Sequence, residues 1–237
     1  MNAKRGYMPE DEINFSSSAI NTMKNASRQI CWLLNEGYDL KQASTFVGNH
    51  FLLSERQRLA IVRSVATDTQ LKARKAKQKY TLNNAEVWID GFNTVITLEV
   101  MFSDSVLIEC MDGTIRDLAA LRGTYRIIPE TEKAALALFD VLREMNVSSA
   151  HILLDEPVSN SGRLKTLLAE IAEGYPFRLD IQILKTVDST LWDKDNVITT
   201  DSVILDRCTG WFNLSKICIQ KYNARTMCIY NKETVKD

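Results

Sequence analysis

The sequence predicts an α/β fold: a mostly parallel sheet flanked by helices, preceded by a small all-α domain. Two observations predict it. Residues 1–80 carry apolar positions at helical spacing. From residue 85, short apolar runs alternate with amphipathic stretches, the pattern of a parallel sheet covered on both faces. The charge divides in the same way: residues 1–80 hold 13 Lys+Arg against 7 Asp+Glu, a net of +6, and residues 81–237 hold 16 against 23, a net of −7. A basic part joined to an acidic part suits a nucleic-acid enzyme, in which one part attracts phosphate and the other holds cations, although both balances also suit plain solvated surface. The expected domains are 1–80, basic and all-helical, and 81–237, α/β.

In "SSSAINTMKNASRQICWLLNEGY", Ala19, Met23, Ile30, Leu33 and Leu34 fall at roughly helical spacing, and Gly37 supplies the stop. "DLKQASTFVGNHF" is expected as a second, short helix. "SERQRLAIVRSVATDTQLKARKAKQ" is expected as a third, opened by Ser54 with Gln57 three residues on, a capping-box pattern. Its basic tail reads as an exposed linker or a phosphate-facing arm, with the linker favoured. Next come a strand "AEVWID", a helix "FNTVITLEVMF", a strand "SVLIEC", a turn "MDG" and a helical "TIRDLAALRG". They are followed by the helix "ETEKAALALFDVLREMN", the strand "AHILLD", the helix "NSGRLKTLLAEIAEG", the strands "FRLDIQILKT" and "NVITT", and the helix opened by "DSVILDR".

Composition bounds the chemistry. At 45% hydrophobic and 25% charged, the 237-residue chain is ordinary globular protein. No apolar run reaches the roughly 18 residues of a membrane span, and the N-terminus lacks the apolar core of a secretory signal. Cys31, Cys110, Cys208, Cys218 and Cys228 form no CxxC pair and are odd in number, so they read as reduced thiols of a cytoplasmic protein. His50 and His151 are too few and too far apart for a zinc site, so any metal must be a hard cation held by oxygen.

Open α/β sheets bind ligands just beyond the C-terminal ends of their strands. Asp90 ends "VWID", Asp155 ends "ILLD", Asp188 lies one residue beyond "ILKTV"'s strand, and Asp201 follows "VITT". Asp206, five residues on, faces roughly the same mouth if a helix starts at Ser202. Each alone is ordinary helix-cap chemistry. Together, carboxylates on one sheet edge repel one another unless a cation sits among them, and this donor type suits Mg2+ or Mn2+. Such ions support phosphodiester cleavage. Asn93 stands ready either to orient a water or to cap the helix after Gly91.

"WIDGFNTVI" resembles the first strand of the PIN/NYN nuclease superfamily, which ends in a D-G-x-N or D-x-N motif. "ILKTVDSTL" resembles the NYN pattern K-x-V-D-x-x-L, placing Lys185 and Asp188, and "VITTDSVILD" resembles a late strand of these folds, placing Asp201. The resemblance covers most of residues 85–220, and each motif is short. The chain departs after Asp201, where Ser202-Val203 replaces a close second aspartate, leaving the fourth ligand to Asp206 or to none. The whole chain also resembles a two-part prokaryotic family of unknown function, through "LLNEGYDLKQASTFVGNHFLLSERQR", "DGTIRDLAALRGTYR" and "LDEPVSNSGRL".

Other candidates are weaker. In "DEPVSNSGRLK", Ser159, Ser161 and Arg163 either cradle a phosphate at a helix N-terminus or belong to a well-capped helix. Arg116, Arg122 and Arg126 beside Tyr125 either grip a nucleic-acid backbone or form surface ion pairs, and Glu99 reads as a surface glutamate. Arg56 and Arg58 lie in a helix–turn–helix-like junction that either binds RNA or DNA or packs on the rest of the chain. The leading expectation is a metal-dependent phosphodiesterase, a ribonuclease, with Asp90, Asp155, Asp188 and Asp201 catalytic, Asp90, Asp155, Asp201 and Asp206 on Mg2+ or Mn2+, and Asn93 positioning water. Its expected partner is nucleic acid, RNA foremost, with no membrane and with homo-oligomerisation left open. The alternatives are a non-catalytic PIN-like module that binds RNA or protein, and a nucleotide or phosphate-ester hydrolase.

Overall fold

The computed structural model describes residues 4–119 and 123–232. The helical part comprises α1 (Asp11–Asn14), α2 (Ser17–Asn35), α3 (Leu40–His50), α4 (Glu55–Ser64) and α5 (Asp68–Lys77). Side chains satisfy the first free amides of the longer ones: Ser16 caps α2, Asp39 caps α3, and Ser54–Gln57 and Thr67–Gln70 close capping boxes on α4 and α5. The stretch expected as one helix from Ser54 is therefore two. Val65 turns extended, and Thr67 with Gln70 starts a new helix that outcompetes continuation of the old one.

The basic tail expected as a linker is packed structure. It runs through α5 into β1 (Gln78–Lys79), and Arg74 is 3% exposed. Then come β2 (Glu86–Asp90), α6 (Gly91–Phe102), β3 (Leu107–Glu109), β4 (Ile115–Asp117), α7 (Pro129–Glu144), β5 (Ser149–Asp155) and α8 (Ser161–Ala172). The chain continues through β6 (Arg178–Leu184), α9 (Val187–Leu191), β7 (Val197–Ile198), α10 (Ser202–Arg207), β8 (Trp211–Phe212), α11 (Leu214–Lys221) and β9 (Met227–Cys228).

Six strands form an all-parallel sheet in the order β1-β8-β7-β2-β5-β6. From the central β2 the chain moves outward to β5 and β6, then returns to the other side for β7 and β8. The order reverses between β2 and β7, the kind of point at which such sheets open a crevice. Val87, Ile89, Ile152, Leu154 and Ile181 on one face pack under α6, α7 and α8, while Leu153, Leu191, Ile204 and Trp211 fill the other.

β2 passes into α6 with no intervening loop, and Gly91 makes that possible. A Cβ there would lie 2.6 Å from Leu154 Cδ2 and 2.7 Å from the Leu153 carbonyl oxygen. Backbone cannot move aside cheaply, so Gly91→Ala is expected to destabilise by about 1–3 kcal/mol, read as a lower urea midpoint at unchanged slope.

A second, three-stranded sheet runs β4-β3-β9, with β3 and β4 antiparallel and β3 and β9 parallel. The segment "TIRDLAALRG" was expected to be helical, but its first residues form β4. Asp112 and Gly113 (φ +81°) make the turn, and Asp112 Oδ1 accepts from both the backbone N–H and the hydroxyl of Thr114. The core of the helical part, with Met23, Ile30, Val47 and Ile61, runs on into Ile108, Met111 and Ile229 of this sheet and its flanks. Among the described residues no helix is long and apolar enough to cross a membrane.

Candidate functional site

Asp90 ends β2 at the point where strand order reverses, and it is 1% exposed. Its Oδ2 accepts from Asn93 Nδ2 at 2.6 Å and from Thr199 Oγ1 at 2.7 Å. No hydrogen bond from a described residue falls on Oδ1. Burial pushes the carboxyl up to about 7; the two hydrogen bonds oppose this, and the charges of Asp201 and Asp155 add to it. Asn93 is thus tied to Asp90 from the first turn of α6, and it also lines the adjoining cleft. Thr199 does double duty, since its oxygen also accepts the Asp201 N–H at 3.0 Å. That hydroxyl fixes the spacing of the two aspartates, a role not expected from the sequence.

Burial and a neighbouring charge raise two further strand-end carboxylates. Asp155, half-buried at the end of β5, is raised by burial and then by Asp188. Asp188, in the first turn of α9, is raised by burial and then by Asp201. Asp201 caps α10 through the Val203 N–H at 2.8 Å and pairs with Arg116 at 3.2 Å. These four carboxylates therefore lie near enough for their charges to interact, and Arg116 is the one cation paired with any of them among the described residues. That imbalance of negative charge is what a bound cation would relieve. The all-oxygen donors fit a hard cation that keeps part of its water shell. As they stand, no three His, Cys, Asp or Glu side chains among the described residues close on one point.

A cleft of about 200 Å³ opens beside Asp155 and Asn93, with Phe92 and Ile96 of α6 on its walls. Two guanidinium groups enter it, Arg116 from β4 and Arg63 from the last turn of α4. Arg63 donates to the Asp117 backbone oxygen and lies 3.5 Å from the Asp117 carboxylate. Asp117 in turn accepts from Thr97 Oγ1 and the Ala119 N–H, each at 2.8 Å. Burial depresses Arg63, Asp117 offsets this, and the like charge of Arg116 depresses it further. Two neighbouring cations in a partly buried cleft favour an anion between them. Arg63 was missed in the sequence because helical spacing alone does not say which of three arginines on α4 reaches the sheet edge.

The structure brings the remaining candidates elsewhere. Asp206 faces away from the mouth, bound by Arg74 Nε and Gln70 Nε2. Arg56 forks onto both oxygens of Asp11 and reaches the carbonyls of Gly6 and Leu118. Arg58 bonds the carbonyls of Leu53 and Thr45 and the side chain of Asn49. Both therefore hold the helical part together. Ser159 and Asn160 clasp the backbone of Tyr125, so the Ser159 hydroxyl is not left open to a phosphate. Ser161 opens α8, and Arg163 and Arg126 are exposed. Arg122 lies outside the described residues. Glu99, expected at the surface, is fully buried against Arg5 Nε at 2.7 Å, Tyr125 Oη and Thr131 Oγ1. Burial raises its carboxyl despite those partners.

The fold and this cleft define a two-part class: an α/β sheet with an acidic switch-point mouth, joined to a helical part that lends it an arginine. The chain belongs to the family described as "Domain of unknown function (DUF5616)", matched over residues 79–217. Its residues 22–77 match "Protein of unknown function (DUF434)", so the two-part resemblance holds. It is similar to "Uncharacterized protein MJ0935" of Methanocaldococcus jannaschii, 32% identical over 186 residues, which span 78% of this chain and 89% of that protein. No solved structure matches the chain.

Proposed function

We propose that the chain is a metal-dependent phosphodiesterase that cleaves RNA, with its α/β part of PIN/NYN-like type. One observation carries the reading. Asp90, Asp155, Asp188 and Asp201 stand at strand ends and helix starts around the switch point of a parallel sheet, their charges and burial raise Asp90, Asp155 and Asp188, and they lie next to a two-arginine cleft. Asp90, through its open Oδ1, and the neighbouring carboxylates would hold Mg2+ or Mn2+. When bound, the ion supplies Lewis-acid stabilisation and lowers the pKa of a coordinated water.

The chain's own residues do the rest. Asn93 and Thr199 fix the Asp90 carboxylate so that it presents one oxygen to the mouth. Arg63 and Arg116 hold the substrate phosphate in the cleft, each by charge-assisted hydrogen bonds.

The test is cleavage of a labelled single-stranded oligoribonucleotide by purified protein in Mn2+ and in EDTA. Cutting that needs the ion is the expected result, and cutting that survives EDTA counts against the reading. In the same assay Arg63→Ala is expected to raise KM about 10-fold or more with a smaller change in kcat, since its contact is made to substrate and transition state alike. A fall in kcat alone would remove Arg63 from phosphate binding.

A further inference from the structure

The helical part carries a surface that the cleft does not use. Neither α2 nor α3 contains an acidic residue, while their cations are Lys24, Arg28 and Lys41. Among the described residues none of these three makes an ion pair, in contrast to Arg5, Arg56 and Arg74. Lys24, Arg28 and Trp32 stand four residues apart in turn, so they form one stripe along α2. Trp32 is 61% exposed and Phe46, on α3, is 73% exposed.

These two rings and Arg28 line one groove of about 390 Å³ between the helices. A second groove shares Arg28 and adds Lys24, Asn21 and Asn25; a third shares Phe46 and adds Lys41, Gln42 and one carboxylate, Asp39. The three form a continuous track of cations, amides and two open aromatic faces.

We propose that this α2–α3 face binds single-stranded RNA, with Lys24, Arg28 and Lys41 on phosphates and Trp32 and Phe46 stacking on unpaired bases. The inference rests on the ribonuclease reading for its purpose, and it names where the substrate strand is held. A track on which cations outnumber carboxylates among the described residues favours a polyanion, and exposed rings stack on bases only where the bases are unpaired. The amides of Asn21, Asn25 and Gln42 suit base edges and sugar hydroxyls. Charge decides against an apolar peptide as occupant, since such a partner leaves Lys24 and Arg28 without a counter-charge among the described residues.

The experiment is fluorescence anisotropy of a labelled oligouridylate with the full chain in EDTA, so that no cleavage intervenes. Trp32→Ala and Phe46→Ala are each expected to weaken binding about 10-fold or more. Wild type is expected to show a log–log salt slope of about −2, from about 0.7 per phosphate contact, and Lys24→Gln with Arg28→Gln to flatten it by about 1.4. Trp32, Phe46 and Arg28 are exposed and Lys24 is half-buried, so melting temperatures are expected to stay near the wild-type value and to separate lost binding from lost folding.

Binding within twofold of wild type in both aromatic variants overturns the proposal. So does unchanged RNA binding together with loss of a dimer in sedimentation, which would assign the face to a second copy. Hydrolysis of bis(p-nitrophenyl) phosphate by wild type in Mn2+ reads the cleft separately. If that ester is not hydrolysed, the ribonuclease reading fails and the binding result still stands.

Discussion

Asp90→Asn is expected to reduce metal-dependent RNA cleavage by at least about 10³-fold and, in the absence of metal, to make the protein more stable. The two effects share one cause. Asp90 lies 1% exposed between two hydrogen-bond donors, and no cation among the described residues pairs with it. Raising a carboxyl from 3.8 to about 7 means that ionising it in place costs on the order of 4 kcal/mol. Between those two values the unfolded chain has released the proton that the folded protein still holds. Stability therefore falls as pH rises from about 4 to about 7, and the full penalty is present above 7.

Asparagine keeps an oxygen that can accept from Thr199 and Asn93, and it carries no charge. In EDTA at pH 8 its melting temperature is expected about 5 °C or more above wild type, with the gain vanishing near pH 4. A residue whose removal stabilises the fold is kept for something other than the fold. If Asp90→Asn is less stable than wild type at pH 8, Asp90 is structural and the site reading loses its centre.

Arg74→Ala is expected to destabilise by about 3–5 kcal/mol, because it strands buried charge. Arg74 Nη1 lies 2.7 Å from Asp112 and Nε lies 2.7 Å from Asp206, and the side chains of Arg74 and Asp112 are 4% and 5% exposed. Its backbone oxygen accepts the Trp211 indole N–H at 2.8 Å. One residue of α5 thereby joins the helical part to the turn between β3 and β4, to α10 and to β8. Since α10 begins at the Asp201 cap, the loss also loosens one wall of the mouth. Arg74→Met with Asp112→Asn is expected to recover part of the stability in urea unfolding, as a double-mutant cycle should show for a directly coupled pair. If the two single costs simply add, the pair is not coupled and another contact joins the two parts.

The sheet was legible because buried parallel strands are short, apolar and separated by helices of clear periodicity. Val87, Ile89, Ile152 and Leu154 mark β2 and β5 without ambiguity. The break between α4 and α5 was also signalled, since Thr67 and Gln70 repeat the capping box of Ser54 and Gln57, but the continuous apolar spacing hid it. In "MDGTIRD" the Asp-Gly turn was visible, and the β-branched Thr114 and Ile115 after it favoured a hairpin over the helix that was expected.

The aspartates at strand ends were legible for the same reason as the strands, because their chemistry follows from where the strand stops. The partners were not. Arg5 meeting Glu99, Arg56 meeting Asp11 and Arg63 meeting Asp117 pair residues 94, 45 and 54 positions apart. No local pattern says which basic residue reaches which carboxylate. For that reason Arg56, Arg58 and Asp206 read as functional and belong to the scaffold, while Arg63 and Thr199 were passed over.

The central claim is that the switch-point carboxylates hold a divalent cation. The most direct test is an anomalous difference map from a crystal of the full chain soaked in Mn2+. A peak is expected at bonding distance from Asp90 Oδ1, shared directly or through water with Asp155, Asp188 or Asp201, and absent in Asp90→Asn crystals. A soaked crystal with no peak at that mouth, or with an equal peak in the Asp90→Asn variant, contradicts it.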